Sequence, residues 1–332
     1  MISRGKGQSA LAAAAYRSAS ILRDERLGLT FSYEGKRGVA HSEIMLPENA
    51  PAELSDRTKL WNEIEANEKR KDSQVAREIR IALPVELTRE QQIDLVRDFV
   101  EENFTGRGII ADVNIHEAKE HNPHAHIMLA TREFIGGKFG FAPFKDTELN
   151  KKTALFEWRK SWELMANNHL GMTGHDVRID SRSYADRGIE LVPQNKIGTA
   201  LHWRNTDTSE RHADHIRIMR ENGRKIIADP DIALKYISRQ QSYFTERDIQ
   251  QFANRHSVGV KQFDEVCNAV LSHPNIARIG EGKYTTWETI RQERRMIDSA
   301  EDLSEHKLHN VKDRHIRKAE KKRTLTPDQE KA

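Results

Sequence analysis

The sequence predicts an α+β protein: an antiparallel sheet with helices on its faces, followed by a smaller, mostly helical unit. Apolar residues alternate with other residues along 109–115 and again along 125–129, which is the spacing of β-strands. Only seven residues, 117–123, connect His116 to His124. A connection this short suits antiparallel neighbours and leaves no room for a crossover helix. Segments of helical spacing separate these strands from others, which favours a layered α+β or α/β arrangement ending near Pro193.

The composition is that of a soluble protein with a modest basic excess. The 332 residues suffice for a sizeable core, and the net charge is only +3, so a polyanionic partner must be held by local basic patches. A single cysteine, Cys267, excludes an internal disulfide and fits a reducing compartment. No apolar run approaches the roughly 20 residues of a membrane span, and no secretory signal is evident. We therefore expect a cytoplasmic protein that does not insert into membranes.

Local signals place most elements of the first domain. The alanine-rich segment 10–20 predicts a helix with Ser9 as its N-cap, and Thr88 with Gln91 predicts a capping box that opens another. Leu155, Trp158, Trp162 and Met165 form the apolar stripe of a further helix. The remaining expected elements are strands over 31–33, 42–46 and 79–83 and a helix over 55–70.

Composition changes divide the chain into four parts. We expect a main domain over 1–194, a polar linker over 195–228, a small unit over 229–298 and a charged, disordered tail over 299–332. The small unit carries helix starts at Asp229-Pro230 and at Thr245, followed by a hairpin around residues 280–282. Three short helices and a hairpin resemble a winged helix-turn-helix.

Three histidines within eleven residues predict a metal site. A lone histidine is usually a core or surface residue, but His124 and His126 are two apart and therefore point to the same side of a strand. His116 ends the preceding strand and can join them. Three neutral imidazoles with an open coordination position are typical of a catalytic metal rather than a structural one. His121 lies in the connection and is the weaker ligand candidate.

Tyr16 and Glu78 are further candidates for catalytic residues. Tyr16 lies in the alanine-rich helix, and spacing alone favours a packed aromatic; a phenol is nevertheless a competent nucleophile toward phosphorus. Glu78 shares a strand face with Arg80, and a surface salt bridge is the ordinary reading, with a general base as the alternative. Basic clusters such as Lys69–Lys71 are ordinarily solvated, and they contact phosphate only if they line the groove that contains the metal. No phosphate-binding loop motif is present, so nothing supports nucleotide hydrolysis.

Taken together, the sequence resembles the plasmid mobilisation relaxases of the MobA/MobL type, in the HUH nuclease superfamily. The resemblance covers residues 2 to about 195 and rests on several motifs in the same order. They are S-R-G-K-G-Q-S-A, A-A-Y-R-S, S-E-I-M-L-P-E-N-A-P, R-K-D-S-Q-V-A-R-E-I-R-I-A-L-P, D-V-N-I-H, N-P-H-A-H, W-R-K-S-W and R-S-Y-A-D-R-G-I-E.

The resemblance implies an activity and roles for individual residues. Tyr16 matches the catalytic tyrosine, which attacks the scissile phosphate of single-stranded DNA at an origin of transfer and leaves a 5′-phosphotyrosine link and a free 3′-hydroxyl. The three histidines match the ligands of Mg²⁺ or Mn²⁺, and Glu78 is the candidate general base for Tyr16. Relaxosome accessory and coupling proteins are the implied partners. The candidate DNA contacts are Arg4, Lys6, Arg17, Arg77 and Arg80.

The resemblance extends beyond the first domain and departs from the family at the N-terminus. Residues from about 232 to 296 resemble the winged segment before the helicase of TraA-like relaxases, without the helicase itself. Family members carry a further segment before I-S-R-G-K-G that forms a first, interior strand, whereas this sequence starts at Met1-Ile2. We therefore expect most of that strand to be missing and backbone groups beside it to be unpaired.

Two alternatives remain open from the sequence. A rolling-circle replication initiator would use the same chemistry on a different substrate. A DNA-binding accessory factor without catalytic activity would belong to a different class, and the shortened first strand is the feature that favours it.

Overall fold

The computed structural model describes residues 1–118, 122–136, 140–194 and 210–305. The chain divides into two compact units, Met1–Ser183 and Tyr184–Ala332. The sequence placed this boundary at residue 194. The difference arises because Tyr184, Ile189 and Leu191 pack into the hydrophobic core of the second unit, although a polar stretch follows them.

A five-stranded antiparallel sheet forms the centre of the first unit, as the sequence predicted. Its strand order is β1-β5-β7-β6-β4, and every neighbouring pair is antiparallel. Two small hairpins, β2–β3 and β8–β9, lie outside it. The strands of this unit are β1 Ile2–Ser3, β2 Ile21–Asp24, β3 Leu29–Ser32, β4 Val39–Met45, β5 Gln74–Ala82, β6 Ala111–Ala118, β7 Asn122–Leu129, β8 Phe134–Gly136 and β9 Gly140–Phe141.

Helices cover both faces of this sheet because alternate residues of each strand are apolar. One core combines Leu11, Leu60 and Trp61 with Ala76 and Met128, so α1 and α2 pack on the same face. A second core joins α3 and α4 to the opposite side chains, which come from residues such as Val113, Ile115 and Ile127. The helices are α1 Ala10–Ser18, α2 Arg57–Asn67, α3 Arg89–Asn103 and α4 Lys152–Met172.

Helix α1 lies close to the sheet because its inward side chains are small. Ala10, Ala14 and Ala15 are fully buried, and the Ser9 hydroxyl accepts a hydrogen bond from the backbone N–H of Ala12 at 3.2 Å. The N-cap prediction is thus confirmed, as is the capping box at Thr88. Ala19 follows the helix in the left-handed conformation, with φ of 52°, and turns the chain toward β2.

Strand β1 lies at an edge of the sheet rather than in its interior. Ile2 pairs with Ala76 and Ser3 pairs with Gln74, both on β5. The Ile2 side chain is buried in the core beneath α1 and α2. The short first strand therefore contributes both backbone pairing and core packing to the start of β5.

The second unit consists of five helices and one hairpin in its described residues. Its core includes Leu234, Phe244, Phe252 and Val266, and Thr245 forms a capping box with Asp248. Its elements are α5 Glu210–Ala228, α6 Asp231–Ser238, α7 Glu246–His256, α8 Gly259–Leu271, β10 Ile276–Gly280, β11 Lys283–Thr286 and α9 Trp287–Glu305. Among the described helices of the chain, none has the length and apolar character to cross a membrane.

The predicted linker and tail differ partly from the structure. Residues 210–228 of the predicted linker form a helix, and its Asn222 and Ile226 are buried. The Asn222 amide exchanges two hydrogen bonds of 2.9 Å with the backbone of Val192, which attaches the helix to the start of the unit. Composition alone did not predict these buried residues, because most of the helix surface is polar. Residues 195–209 and most of the predicted tail, 306–332, lie outside the described residues.

Candidate metal and tyrosine site

Three imidazoles converge on the face of the sheet that α1 covers. His116 on β6 pairs directly with His124 on β7, and His126 follows two residues later on the same face. One ring nitrogen from each histidine lies within 4.8 Å of the others. The ring centroids are 4.6 Å to 5.5 Å apart. The structure therefore brings together the three residues that the sequence singled out.

The hydrogen bonds of the imidazoles leave one nitrogen of each available to a metal. His116 Nε2 lies 2.6 Å from the carbonyl oxygen of Arg17, and His124 Nδ1 lies 2.9 Å from that of Asn122. His126 Nδ1 lies 2.7 Å from Glu78 Oε1. Carbonyl and carboxylate oxygens only accept, so these nitrogens donate. The lone pairs then remain on Nδ1 of His116 and on Nε2 of the other two.

Burial favours the neutral, metal-binding form of His116 and His126. Burial lowers the pKa of His116 to about 4, and the positive charge of Lys36 acts in the same direction. Burial also lowers the pKa of His126, although the Glu78 carboxylate opposes that shift. Neutral imidazole is the ligand form of histidine, so His116 and His126 are ready to coordinate near neutral pH. The donor set therefore fits a divalent cation.

Glu78 connects the histidines to α1. Both of its carboxylate oxygens accept from the Arg17 guanidinium at 2.7 Å, and Oε1 also accepts from His126. Burial alone would raise the pKa of Glu78, but the hydrogen bonds and charges of His126 and Arg17 outweigh it and hold that pKa well below its usual range. A carboxylate with these partners is a poor proton acceptor. This environment counts against the prediction that Glu78 is the general base for Tyr16.

Tyr16 lies on the exposed side of α1, one residue before the carbonyl that His116 contacts. Its side chain is 49% exposed, and its ring stands edge-on to Tyr33 at a centroid distance of 5.3 Å. The Lys36 ammonium lies 3.7 Å from the ring centroid and donates to the Tyr16 carbonyl at 2.7 Å. The phenol thus has a fixed position, access to solvent and a positive charge beside it.

A buried polar network stabilises the strands that carry the histidines. Asp112 is fully buried on β6 and accepts from Arg57, from the Trp61 indole at 2.8 Å and from the Asn114 amide at 2.7 Å. Asn114 in turn accepts from Ser42 on β4 at 2.7 Å. Because these contacts join side chains of α2, β4 and β6, the network attaches α2 and β4 to β6 and holds the strand register.

Two of the predicted DNA contacts form internal ion pairs. Arg4 pairs with the buried Glu65 at 2.6 Å, with its side chain only 7% exposed, and it also donates to the backbone carbonyls of Glu68 and Arg70. Arg17 is committed to Glu78 and is 14% exposed. The structure thus gives Arg4 a structural role between the N-terminus and α2 and leaves little of its guanidinium exposed for the predicted DNA contact.

The other three predicted contacts lie in different places. Lys6 is exposed beside the start of α1, and Arg80 is exposed on β5 opposite His126 in the strand register. Arg77 lies on the opposite face of the sheet, with its guanidinium 5.8 Å from the centre of the Trp158 ring. Strand alternation separates Arg77 from Glu78 and Arg80 in this way. Of these three, Arg80 combines exposure with a position beside the histidines, whereas Lys6 is exposed but precedes α1, at the opposite end of that helix from Tyr16.

Sequence reasoning missed Lys36 and Tyr33, which both touch Tyr16. Both lie in the segment that follows β3, and the sequence predicted Tyr33 only as the end of a strand. No local pattern points to a contact between this segment and α1. The carbonyl contact of His116 was missed for the same reason, because it joins residues 99 positions apart.

Comparison with known proteins shows that this chain is similar to conjugal transfer and mobilization proteins. A sequence model described as the MobA/MobL family matches residues 8–206, more than half of the chain. A probable conjugal transfer protein TraA of Sinorhizobium fredii is 32% identical over 100% of this chain and 34% of its own length. The mobilization protein MobL of Acidithiobacillus ferridurans is 36% identical over 65% of each chain. The chain therefore spans about a third of the length of the TraA relatives it matches.

A solved structure supports the fold of the first unit. It is described as "Molecular Basis of Vancomycin Resistance Transfer in Staphylococcus aureus" and is 39% identical, with a TM-score of 0.52. The match covers 55% of this chain and 95% of that chain. The likeness thus extends over most of the solved chain and about half of this one.

Proposed function

The chain belongs to the MobA/MobL family, and from that premise we propose that it is a plasmid mobilisation relaxase that nicks single-stranded DNA at an origin of transfer. The observation that carries this proposal is the contact between the histidine cluster and the tyrosine helix. His116 Nε2 lies 2.6 Å from the backbone carbonyl of Arg17, the residue next to Tyr16. A metal-binding group and an accessible phenol therefore share one surface.

The proposed reaction is a transesterification at phosphorus. The Tyr16 oxygen forms a bond to the scissile phosphorus, the bond to the 3′-oxygen breaks, and the phenol proton reaches the departing 3′-oxygen through solvent. The products are a 5′-phosphotyrosine link and a free 3′-hydroxyl. Half-exposure of Tyr16 allows a DNA strand to approach, and Lys36 places a positive charge where the phosphodiester would arrive.

His116, His124 and His126 would hold a divalent metal in this proposal. When bound, the ion supplies polarisation of a non-bridging phosphate oxygen and stabilises the charge of the transition state by several kcal/mol. Imidazole donors suit Mn²⁺ better than Mg²⁺, whose preferred ligands are oxygens. We therefore place Mn²⁺ ahead of Mg²⁺ as the ion for this site.

Glu78 acts in this proposal as a positioning residue rather than as a base. Its carboxylate accepts a hydrogen bond from the Nδ1–H of His126, which directs the other ring nitrogen toward the metal. The same carboxylate holds Arg17 and so fixes α1 against β5 and β7. Outer carboxylates of this kind orient a ligand and raise its basicity.

The wider setting follows from the family. Conjugal transfer requires accessory proteins that expose the origin strand and coupling proteins that pass it on, and we propose these as partners in the cytoplasm. Because the TraA relatives are about three times as long as the matched region, activities of their other parts are not carried over.

The test of this proposal is metal-dependent cleavage by histidine variants. We expect wild-type protein with Mn²⁺ to cut one of a set of single-stranded oligonucleotides tiled along the DNA that flanks its gene. The double variant H124A/H126A should lose both calorimetric Mn²⁺ binding and cleavage, whereas H41A, on β4, should keep both. Undiminished cleavage by the double variant would contradict the site. A cut at a replication origin would instead favour a rolling-circle initiator.

A further inference from the structure

A cleft of the first unit, separate from the histidine and tyrosine site, lies at the start of β5. It has a volume of about 730 Å³ and is formed by two segments: the loop after α2, from Asn67 to Ser73, and the segment after β9, from Phe141 to Lys145. This size falls within the range of pockets that hold small organic ligands. None of its residues belongs to the histidine and tyrosine site.

An exposed aromatic ring stands in this cleft on a firmly anchored segment. Phe144 is 82% exposed, although the residues on both sides of it are tied down. Arg132 donates to the carbonyl of Pro143, and Lys145 donates to the carbonyl of Gln74. An exposed ring on a fixed backbone offers a flat apolar face on which another aromatic group can stack.

The cleft has a positive excess that favours an anion beside this ring. The buried Glu68 carboxylate is shared by Arg132 at 2.9 Å and Lys145 at 3.0 Å, so that cluster keeps one positive charge. Lys69 adds an exposed cation to the wall. Arg70 is paired only with Asp72, at the solvent-exposed surface, where such a pair is weak.

The strand β5 joins this cleft to the candidate site. Gln74 lines the cleft, and Glu78, which contacts His126, lies four residues further on the same face. Four residues of an extended strand span about 13 Å, which a few nucleotides of single-stranded DNA can bridge. A DNA strand that runs along β5 from the histidines would therefore meet the cleft within a few nucleotides.

We propose that this cleft binds one nucleotide of the single-stranded DNA substrate, with its base stacked on Phe144 and its phosphate beside Lys69 and Arg70. Stacking suits the role because every base offers an aromatic face, so it holds the strand without reading its sequence. The inference rests on the proposed function only in the identity of the ligand, a single-stranded DNA.

The test is the affinity of F144A for dye-labelled single-stranded oligonucleotides, measured by fluorescence anisotropy without added metal. Loss of one stacking contact predicts roughly ten-fold weaker binding. The variant F144W should restore wild-type affinity. The matched control is F156A, which removes another exposed phenylalanine, 63% exposed on α4, and should leave affinity unchanged. K69A should reduce the dependence of log affinity on log salt by about 0.7.

Covalent attachment assays on the same proteins separate this inference from the proposed function. Equal affinity of F144A and wild type would overturn the nucleotide cleft, whether or not wild type forms an adduct. Phe144-dependent binding with no adduct under any metal would support the cleft and count against the relaxase. Absence of single-strand binding by wild type would overturn both.

Discussion

At the scale of single residues, the central question is whether Glu78 positions His126 or takes up a proton during the reaction. The carboxylate is held by Arg17 and His126, and its pKa lies well below the usual range. A base must take up a proton during the reaction, and these partners oppose that. A positioning group only has to keep His126 in the right tautomer and direction, which these contacts achieve.

The variant E78Q separates these two roles. If Glu78 positions His126, E78Q should weaken Mn²⁺ binding by about 10–100-fold, and a large excess of Mn²⁺ should restore most of the rate of DNA attachment. E117Q is the matched control, because Glu117 is on β6 but its side chain pairs with Arg89, and it should behave as wild type. Normal Mn²⁺ affinity with a rate that no metal concentration restores would instead identify a base.

The sequence predicted which three histidines come together at this site but not the contacts around them. His124 and His126 follow from strand alternation, and His116 from the short connection between antiparallel strands. The contacts of Glu78 with Arg17 and His126 join residues 61 and 48 positions apart. They depend on the pairing of β5 with β7, and a single sequence does not contain that register. Tyr16 was identified only through the resemblance, because its spacing alone predicts packing.

At the scale of elements, the N-terminus is attached to α2 by a buried ion pair. Arg4 and Glu65 are 7% and 1% exposed, and Glu65 also accepts from the backbone N–H of Ala10 at the start of α1. Three elements thus meet at one carboxylate. The sequence could not reveal this, because an arginine near a chain terminus is most often solvated, and α2 lies some sixty residues away.

R4M should therefore destabilise the first unit. Removal of one partner leaves the Glu65 charge buried, with Arg26 as its remaining cationic partner, and the expected loss is about 3 kcal/mol in the free energy of unfolding. Urea denaturation followed by circular dichroism measures it. R70M is the control, since the pair between Arg70 and Asp72 is exposed, and its midpoint should stay near that of wild type. Equal midpoints for R4M and R70M would show that the buried pair contributes little.

At the scale of the whole molecule, the chain divides into two compact units, and the sequence predicted the existence of these units better than the boundary between them. The strands and helices of the first unit follow from apolar spacing and capping signals, such as Thr88 with Gln91. The boundary between the two units does not follow from such signals, because Ile189 and Leu191 precede a polar stretch and pack with residues far along the chain. Local patterns predict elements well, but assignment to a core depends on long-range packing.

The stability of the second unit should fall in acid through His256. This residue is 3% exposed on α7, and burial, together with the charge of Arg255, lowers its pKa to about 4. In the unfolded chain the same group titrates near 6.5. The folded form binds the proton less tightly, so the contribution is present above about pH 6.5 and is lost as the pH falls toward 4.

Comparison of wild type with H256F tests this linkage. Phenylalanine keeps the contacts with Phe252 and Tyr236 but does not titrate. Calorimetric melting should show that the second unit of wild type loses more stability than that of H256F between about pH 7.5 and about pH 4.5. Identical pH dependence in the two proteins would mean that the unit opens around His256 before it is protonated.

The most direct measurement of the central claim is the mass of the DNA–peptide adduct. Wild-type protein is incubated with Mn²⁺ and the oligonucleotide that it cleaves, and is then digested to peptides. One peptide should carry nucleotides, attached at Tyr16. Y16F should form no adduct, and Y33F, which alters the tyrosine packed against it at 5.3 Å, should retain it. An adduct that persists in Y16F, or that maps to Tyr33, would contradict the assignment of Tyr16 as the nucleophile.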